Sequence, residues 1–169
     1  MQLTYADFPY LSILLLTCVG GLLAILFTPA HRIREIKWIS AVFSGITMVV
    51  SIYLFMAYDK SLGGFQFVEK LDWVPILGIS YFNGVDGFSV PMLLLTGIVF
   101  FTGVLTMWEH DYRVKEFFAL IFLLVAGVFG MFITLDLFFV FIWFDVSLFP
   151  MYLLIAVWGS TRQEYGAMK

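Results

Sequence analysis

Asp145 is the residue that could do chemistry. It sits near the middle of Leu137 to Trp158, a stretch that otherwise reads as a membrane-spanning helix. At about 1.5 Å per residue, roughly 22 residues cover the ~30 Å of hydrocarbon in a bilayer. An acid at that depth is unfavourable by roughly 2.5–3.5 kcal/mol on insertion scales. Nothing local needs it for folding. The plain alternative is a polar residue tolerated near a helix–helix contact. The sharper reading is a proton-binding or ion-pairing site, because a carboxyl in an apolar medium favours its protonated form unless a cation lies close by.

Pro150 strengthens the sharper reading. A proline inside a helix has no N–H for the carbonyl four residues back, which here belongs to Val146, next to Asp145. A kink is expected there, with a freed carbonyl that must find a neighbouring helix, a hydroxyl or water. Ser147 supplies a hydroxyl nearby. An acid, a hydroxyl and a free carbonyl this close together can hold ordered water.

The rest of the composition says where such a group lives. Of the 169 residues, 62% are hydrophobic and 12% charged, against about 25% charged in a soluble domain. This is the composition of an integral membrane protein, with the lipid bilayer as its surroundings and no nucleic-acid partner expected. Cys18, the single cysteine, lies in an apolar stretch and reads as a small buried side chain. His31 and His110 fall in connecting loops with no second ligand at metal spacing, so no metal site is expected. Met1 to Tyr10 carries no basic n-region, and a cleaved signal peptide is not expected. There is no phosphate loop, no CxxC pair and no dinucleotide-binding fingerprint. No cofactor is therefore expected on this chain, and any electrons travel through other chains.

The fold class read from the pattern is an all-α membrane protein of about five transmembrane helices. The spans run over about 8–28, 38–58, 87–108, 117–134 and 137–158, in a single membrane domain over 1–169. Pro29 ends the first, since the residue before a proline avoids helical geometry. A basic loop of His31, Arg32, Arg34, Glu35 and Lys37 follows. Trp38 and Tyr58 bracket the second span as interfacial aromatics do. Ala41 and Gly45, and later Ala126 and Gly130, are small pairs at the spacing of close helix contacts.

Residues 59–86 break the pattern with Asp59, Lys60, Glu69, Lys70, Asp72 and Asp86, punctuated by glycines and Pro75. Trp73, Ile79 and Tyr81 lie in short β-prone runs around Pro75 and Gly78. The reading is a short extracytoplasmic β-hairpin between the second and third helices, lying on the membrane surface. Asp136 marks a tight turn and is placed to cap the fifth helix with its carboxylate.

Lysine and arginine give the orientation. With the amino terminus outside, the inner segments hold Arg32, Arg34, Lys37, Arg113, Lys115, Arg162 and Lys169, while the outer ones hold Lys60 and Lys70. This is a positive-inside bias. No lysine or arginine lies at the depth of Asp145, so a counter-charge must come from elsewhere.

Two stretches carry a family resemblance. One is Asn83-Gly84-Val85-Asp86-Gly87-Phe88-Ser89-Val90, continuing to Leu93-Leu94-Leu95-Thr96. The other is Asp145-x-x-Leu148-x-Pro150-Met151-Tyr152, running on to Trp158-Gly159. Both resemble the antiporter-like membrane subunits of respiratory complex I, above all those of the chain M (NuoM), mitochondrial subunit 4, type. The resemblance covers the chain from about Trp73 onward by motif and the earlier part by layout.

The resemblance implies the amino-terminal part of a proton-translocating subunit of NADH–quinone oxidoreductase in a bacterial inner membrane, or alternatively the mitochondrial one. NADH, FMN, iron–sulfur clusters and quinone would sit on other subunits. Partners would be the other membrane-arm subunits, especially neighbouring antiporter-like chains, and a second chain supplying later helices. The family carries a glutamate where this chain has Asp145, and a tryptophan just before it, where this chain has Phe144 with Trp143 one place earlier. The shorter acid weakens a direct ion pair and favours a water-bridged one. Asp145 is thus the expected proton-linked carboxylate, with Pro150, Ser147 and Trp143 supporting it and Asp86 and Asp136 structural. Mrp-type cation/proton antiporters and membrane hydrogenases share the motifs, and a non-pumping scaffold piece is the remaining alternative.

Overall fold

The computed structural model describes residues 3–5, 8–61, 63–74, 79–109 and 111–159. Asp7, Pro75, Gly78, His110, Arg162, Glu164 and Lys169 lie outside the described residues.

Among the described residues, five helices form the body: α1 Tyr10–Phe27, α2 Ile33–Ala57, α3 Ser89–Thr106, α4 Val114–Ile133 and α5 Leu137–Trp158. With the 3-10 turn Met107–Glu109 that extends α3, each is long and apolar enough to cross a membrane. The described residues also form three strands: β1 Leu3–Tyr5, β2 Phe65–Val74 and β3 Ile79–Val85. β2 and β3 pair antiparallel as the expected hairpin between α2 and α3, and β1 adds in parallel to β2. So short a strand has no periodicity of its own and is made visible only by its partner.

Two helices start earlier than the apolar runs suggest. α2 begins at Ile33, so Arg34, Glu35 and Lys37 form its first turns instead of a loop. α4 begins at Val114, with Lys115 and Glu116 in its first turn. Arginine, lysine and glutamate are good helix formers. A helix therefore continues past the hydrocarbon into the headgroup region, where hydropathy alone sees a boundary.

α4 is the hub, packing against each of the other four helices. Its Phe118, Phe122 and Phe129 are fully buried. Phe122 stacks edge-on against Phe100 with ring centroids 4.8 Å apart, and it fills the space left by Gly21 of α1. α2 buries a polar face: Ser40, Ser44, Thr47 and Ser51 are inaccessible, while Val42, Ile46 and Val49 face outward. Each of those hydroxyls donates to a carbonyl of its own helix, as Ser51 does to Thr47 at 2.9 Å. In lipid the outside is as apolar as any core, so small and hydroxylic residues rather than large apolar ones mark helix contacts. Ser51 lies so close to Gly97 of α3 that a Cβ there would meet its Oγ at 2.8 Å.

Aromatic residues band both ends of the bundle. Trp38, Trp108, Tyr112 and Trp158 lie at one end, joined by the Trp38–Trp108 and Tyr112–Trp158 ring contacts. Tyr10, Tyr53, Trp73 and Tyr81 lie at the hairpin end. Two such belts, separated by apolar helix, are the signature of the two bilayer interfaces. The chain is an integral membrane protein.

Candidate functional site

α5 presents two different faces. Trp143, Ser147, Pro150, Leu154 and Trp158 recur at helical spacing, and Trp143, Leu154 and Trp158 pack against the buried core. Two glycines of α4 let the helices meet closely. A Cβ at Gly127 would lie 2.8 Å from the Ser147 nitrogen and 2.9 Å from the Trp143 carbonyl oxygen, and one at Gly130 would enter the Trp143 ring. The Trp143 Nε1 is buried there and has no hydrogen-bond partner among the described residues.

Asp145 lies two residues from both Trp143 and Ser147, about 200° around the helix. It is exposed on the side of α5 turned away from α4. Phe141, Phe144, Leu148, Phe149 and Tyr152 are exposed with it. It makes no hydrogen bond or ion pair among the described residues. At 1.5 Å per residue it sits about 12 Å into a helix of about 33 Å. Among the described residues, it is the only carboxylate or cation away from the ends of the helices.

The acid and the hydroxyl of the expected cluster do not share a face of α5. Ser147 sits on the α4 side, and its hydroxyl donates to the Phe144 carbonyl at 2.8 Å. Pro150 is buried on that same side, and α5 runs through it without interruption. What the sequence places side by side, the helical turn sends to opposite faces. Of Asp145, Ser147 and Pro150, only Asp145 points outward.

Three acids at the hairpin end have a different task. The Asp136 carboxylate caps α5, accepting the Phe138 N–H at 2.9 Å, and it also accepts the Ser80 N–H of β3 at 3.0 Å. Asp86 accepts the N–H groups of Phe88 and Ser89, at 3.2 and 2.7 Å, where α3 begins. Partial burial pushes the Asp86 carboxyl up, but the bonds from Ser89 and Phe88 outweigh this and hold it below the usual carboxylate range. The third acid, Glu69 of β2, is one that sequence reasoning passed over as a hairpin charge. It accepts the Leu11 N–H at 2.8 Å and the Ser12 N–H and hydroxyl at the start of α1. The Ser12 hydroxyl in turn meets the Tyr81 hydroxyl at 3.1 Å. No local pattern signals a cap supplied from 58 residues away.

A second pairing missed in the sequence lies at the other end. Lys37 is almost fully buried, and its Nζ donates to Asp111 at 2.9 Å, tying the start of α2 to the turn before α4. Asn83 of β3 also pairs with Thr134, just past α4, in an isolated antiparallel bridge, and both residues are buried.

No model of a known protein family matches the chain. Curated relatives do. A NAD(P)H-quinone oxidoreductase chain 4 from Prochlorococcus marinus (strain NATL1A) is 36% identical over 166 residues, covering 97% of this chain and 31% of that protein. The chloroplastic chain 4 of Chara vulgaris is 34% identical over 164 residues, 96% of this chain and 33% of that one. The chain thus spans about a third of the length of the curated relatives it matches. Among solved structures, respiratory complex I from Thermus thermophilus with bound NADH contains a chain that superposes with a TM-score of 0.77. That match has 23% identity and covers 94% of this chain and 31% of the other. At that identity the likeness shows the fold.

Proposed function

We propose, from the similarity to NAD(P)H-quinone oxidoreductase chain 4 proteins over nearly all of this chain, that it is a proton-translocating membrane-arm subunit of an NADH–quinone oxidoreductase, or the amino-terminal part of one. Electrons pass from NADH to quinone through other subunits, which hold the FMN and iron–sulfur clusters. The other membrane-arm subunits, antiporter-like chains among them, are its partners. This chain contributes proton handling. The bacterial inner membrane is its place, with the amino terminus and the hairpin outside. Arg32, Arg34, Lys37, Arg113 and Lys115 at one end, against Lys60 and Lys70 at the hairpin end, support that orientation.

The observation that carries the proposal is the position of Asp145, mid-helix on the outward face of α5. A carboxylate kept at that depth needs a cation or water chain beside it. Its free face has room for a basic side chain on a helix outside these residues or on a neighbouring subunit. Movement of charge nearby would then shift its proton occupancy, coupling the subunits electrostatically.

The test compares Asp145→Asn with Asp145→Glu in the assembled complex, reconstituted in vesicles, with quinone reduction and proton uptake followed together. The Asn form is expected to lose pumping and the Glu form to keep it. An Asn form that pumps like the parent removes the role assigned to Asp145. Failure to assemble, with no specific pumping defect, marks a scaffold instead.

A further inference from the structure

We propose that the cleft between the start of α2 and the end of α3 is a binding site for the headgroup of an anionic phospholipid. The cleft, of about 520 Å³, is lined by Ile33, Arg34, Lys37, Trp38 and Trp108. Two cations and no acid line it. The lysine is held in place by Asp111, whose side chain is itself largely in solvent. Arg34 is exposed and makes no hydrogen bond or ion pair among the described residues.

That freedom sets Arg34 apart. The other described lysines and arginines at this end are engaged: Arg32 with Glu35, Arg113 with Glu116, Lys37 with Asp111, and Lys115 on the Leu26 carbonyl at 2.8 Å. Among the described lysines and arginines at this end, Arg34 alone has neither a hydrogen-bond nor an ion-pair partner, and it stands at the mouth of a cleft. Basic pockets between helices at a membrane interface suit the phosphate of anionic lipids.

The aromatic walls set the depth. Trp38 and Trp108 meet edge to face with centroids 5.5 Å apart, and their indoles belong at headgroup level. Below the cleft an apolar track continues on the outer side of α2. Trp38, Val42, Ile46 and Val49, at helical spacing, are 55%, 53%, 44% and 61% exposed. A headgroup phosphate on Arg34 would leave its acyl chain lying along that track. A free anion has no use for the track, which is why the lipid rather than inorganic phosphate is the occupant the surface fits.

The assembly that contains this chain, purified and delipidated, is titrated with phosphatidylglycerol, phosphatidylcholine or inorganic phosphate, and retained lipid is counted by native mass spectrometry. The parent is expected to retain phosphatidylglycerol over phosphatidylcholine. Arg34→Gln is expected to reduce that retention roughly fivefold, about what one cation near an anionic headgroup contributes, and Arg34→Lys to preserve it. Since Arg34 is exposed and unpaired, both variants should melt like the parent. Equal retention by parent and Arg34→Gln, no preference for phosphatidylglycerol, or displacement of lipid by inorganic phosphate overturns the proposal.

Discussion

The Glu69 carboxylate of β2 accepts the Leu11 N–H at 2.8 Å across 58 residues of chain, so the β2–β3 hairpin caps the first long helix. Asp86 and Asp136 do the same for α3 and α5, and Asp136 also holds β3 through Ser80. Helix starts leave N–H groups without internal partners, and their dipoles favour negative charge. The hairpin is thereby fastened across the ends of the helices that begin on its side.

Removing the longest-range of these caps gives the first prediction. Glu69→Ala is expected to cost about 0.5–2 kcal/mol, the range for a lost cap. Glu69→Gln keeps an acceptor and loses only the charge–dipole part, about 0.3–1 kcal/mol. Thermal melting of the purified protein should rank parent, Gln and Ala in that order, and limited proteolysis should cut the Ala form first within the hairpin. Identical melting of all three would detach the hairpin from the stability of α1.

The acid limb of stability should report Asp86. Its carboxyl is held below the usual range in the folded state. A depressed folded-state value means the contribution is fully present above the unfolded value, near 3.9. It is lost as pH falls from there through the lower folded value. Asp86→Asn should flatten the pH dependence of melting below about pH 4 and leave the dependence near neutrality unchanged. An unaltered acid limb would show that the Phe88 and Ser89 bonds do not favour the ionised form.

A pair of glycines tests the α4–α5 contact. A Cβ at Gly127 would run into the backbone of Ser147 and Trp143, whereas one at Gly103 of α3 meets nothing within 4 Å. Gly127→Ala is expected to lose about 1–3 kcal/mol by forcing the helices apart. Gly103→Ala should be neutral or gain up to about 1 kcal/mol, since alanine is the better helix former. Similar melting of the two variants would mean that α5 is not seated on α4 as described.

The number of spans was legible because bilayer thickness sets the length of an apolar run. The hairpin was legible because charge, glycine and alternating β-prone residues interrupt that pattern. Helix starts were less so: Ile33 and Val114 begin helices inside charged segments, where hydropathy reads a loop and helix propensity reads none. Glu69 and the Lys37–Asp111 pair were invisible because each joins segments that only the fold brings together.

Sequence by itself determined that Asp145 is the lone carboxylate in a long apolar run, since one acid among leucines and phenylalanines needs no coordinates to be found. Which way it points was decided by tertiary structure. α5 is apolar on every side and carries no periodicity to mark an inner face. Gly127 and Gly130, on a different helix, admit Trp143 and Ser147 and so turn Asp145 to the opposite side. A contact that depends on the absence of side chains in one helix leaves no trace in the residues of its partner.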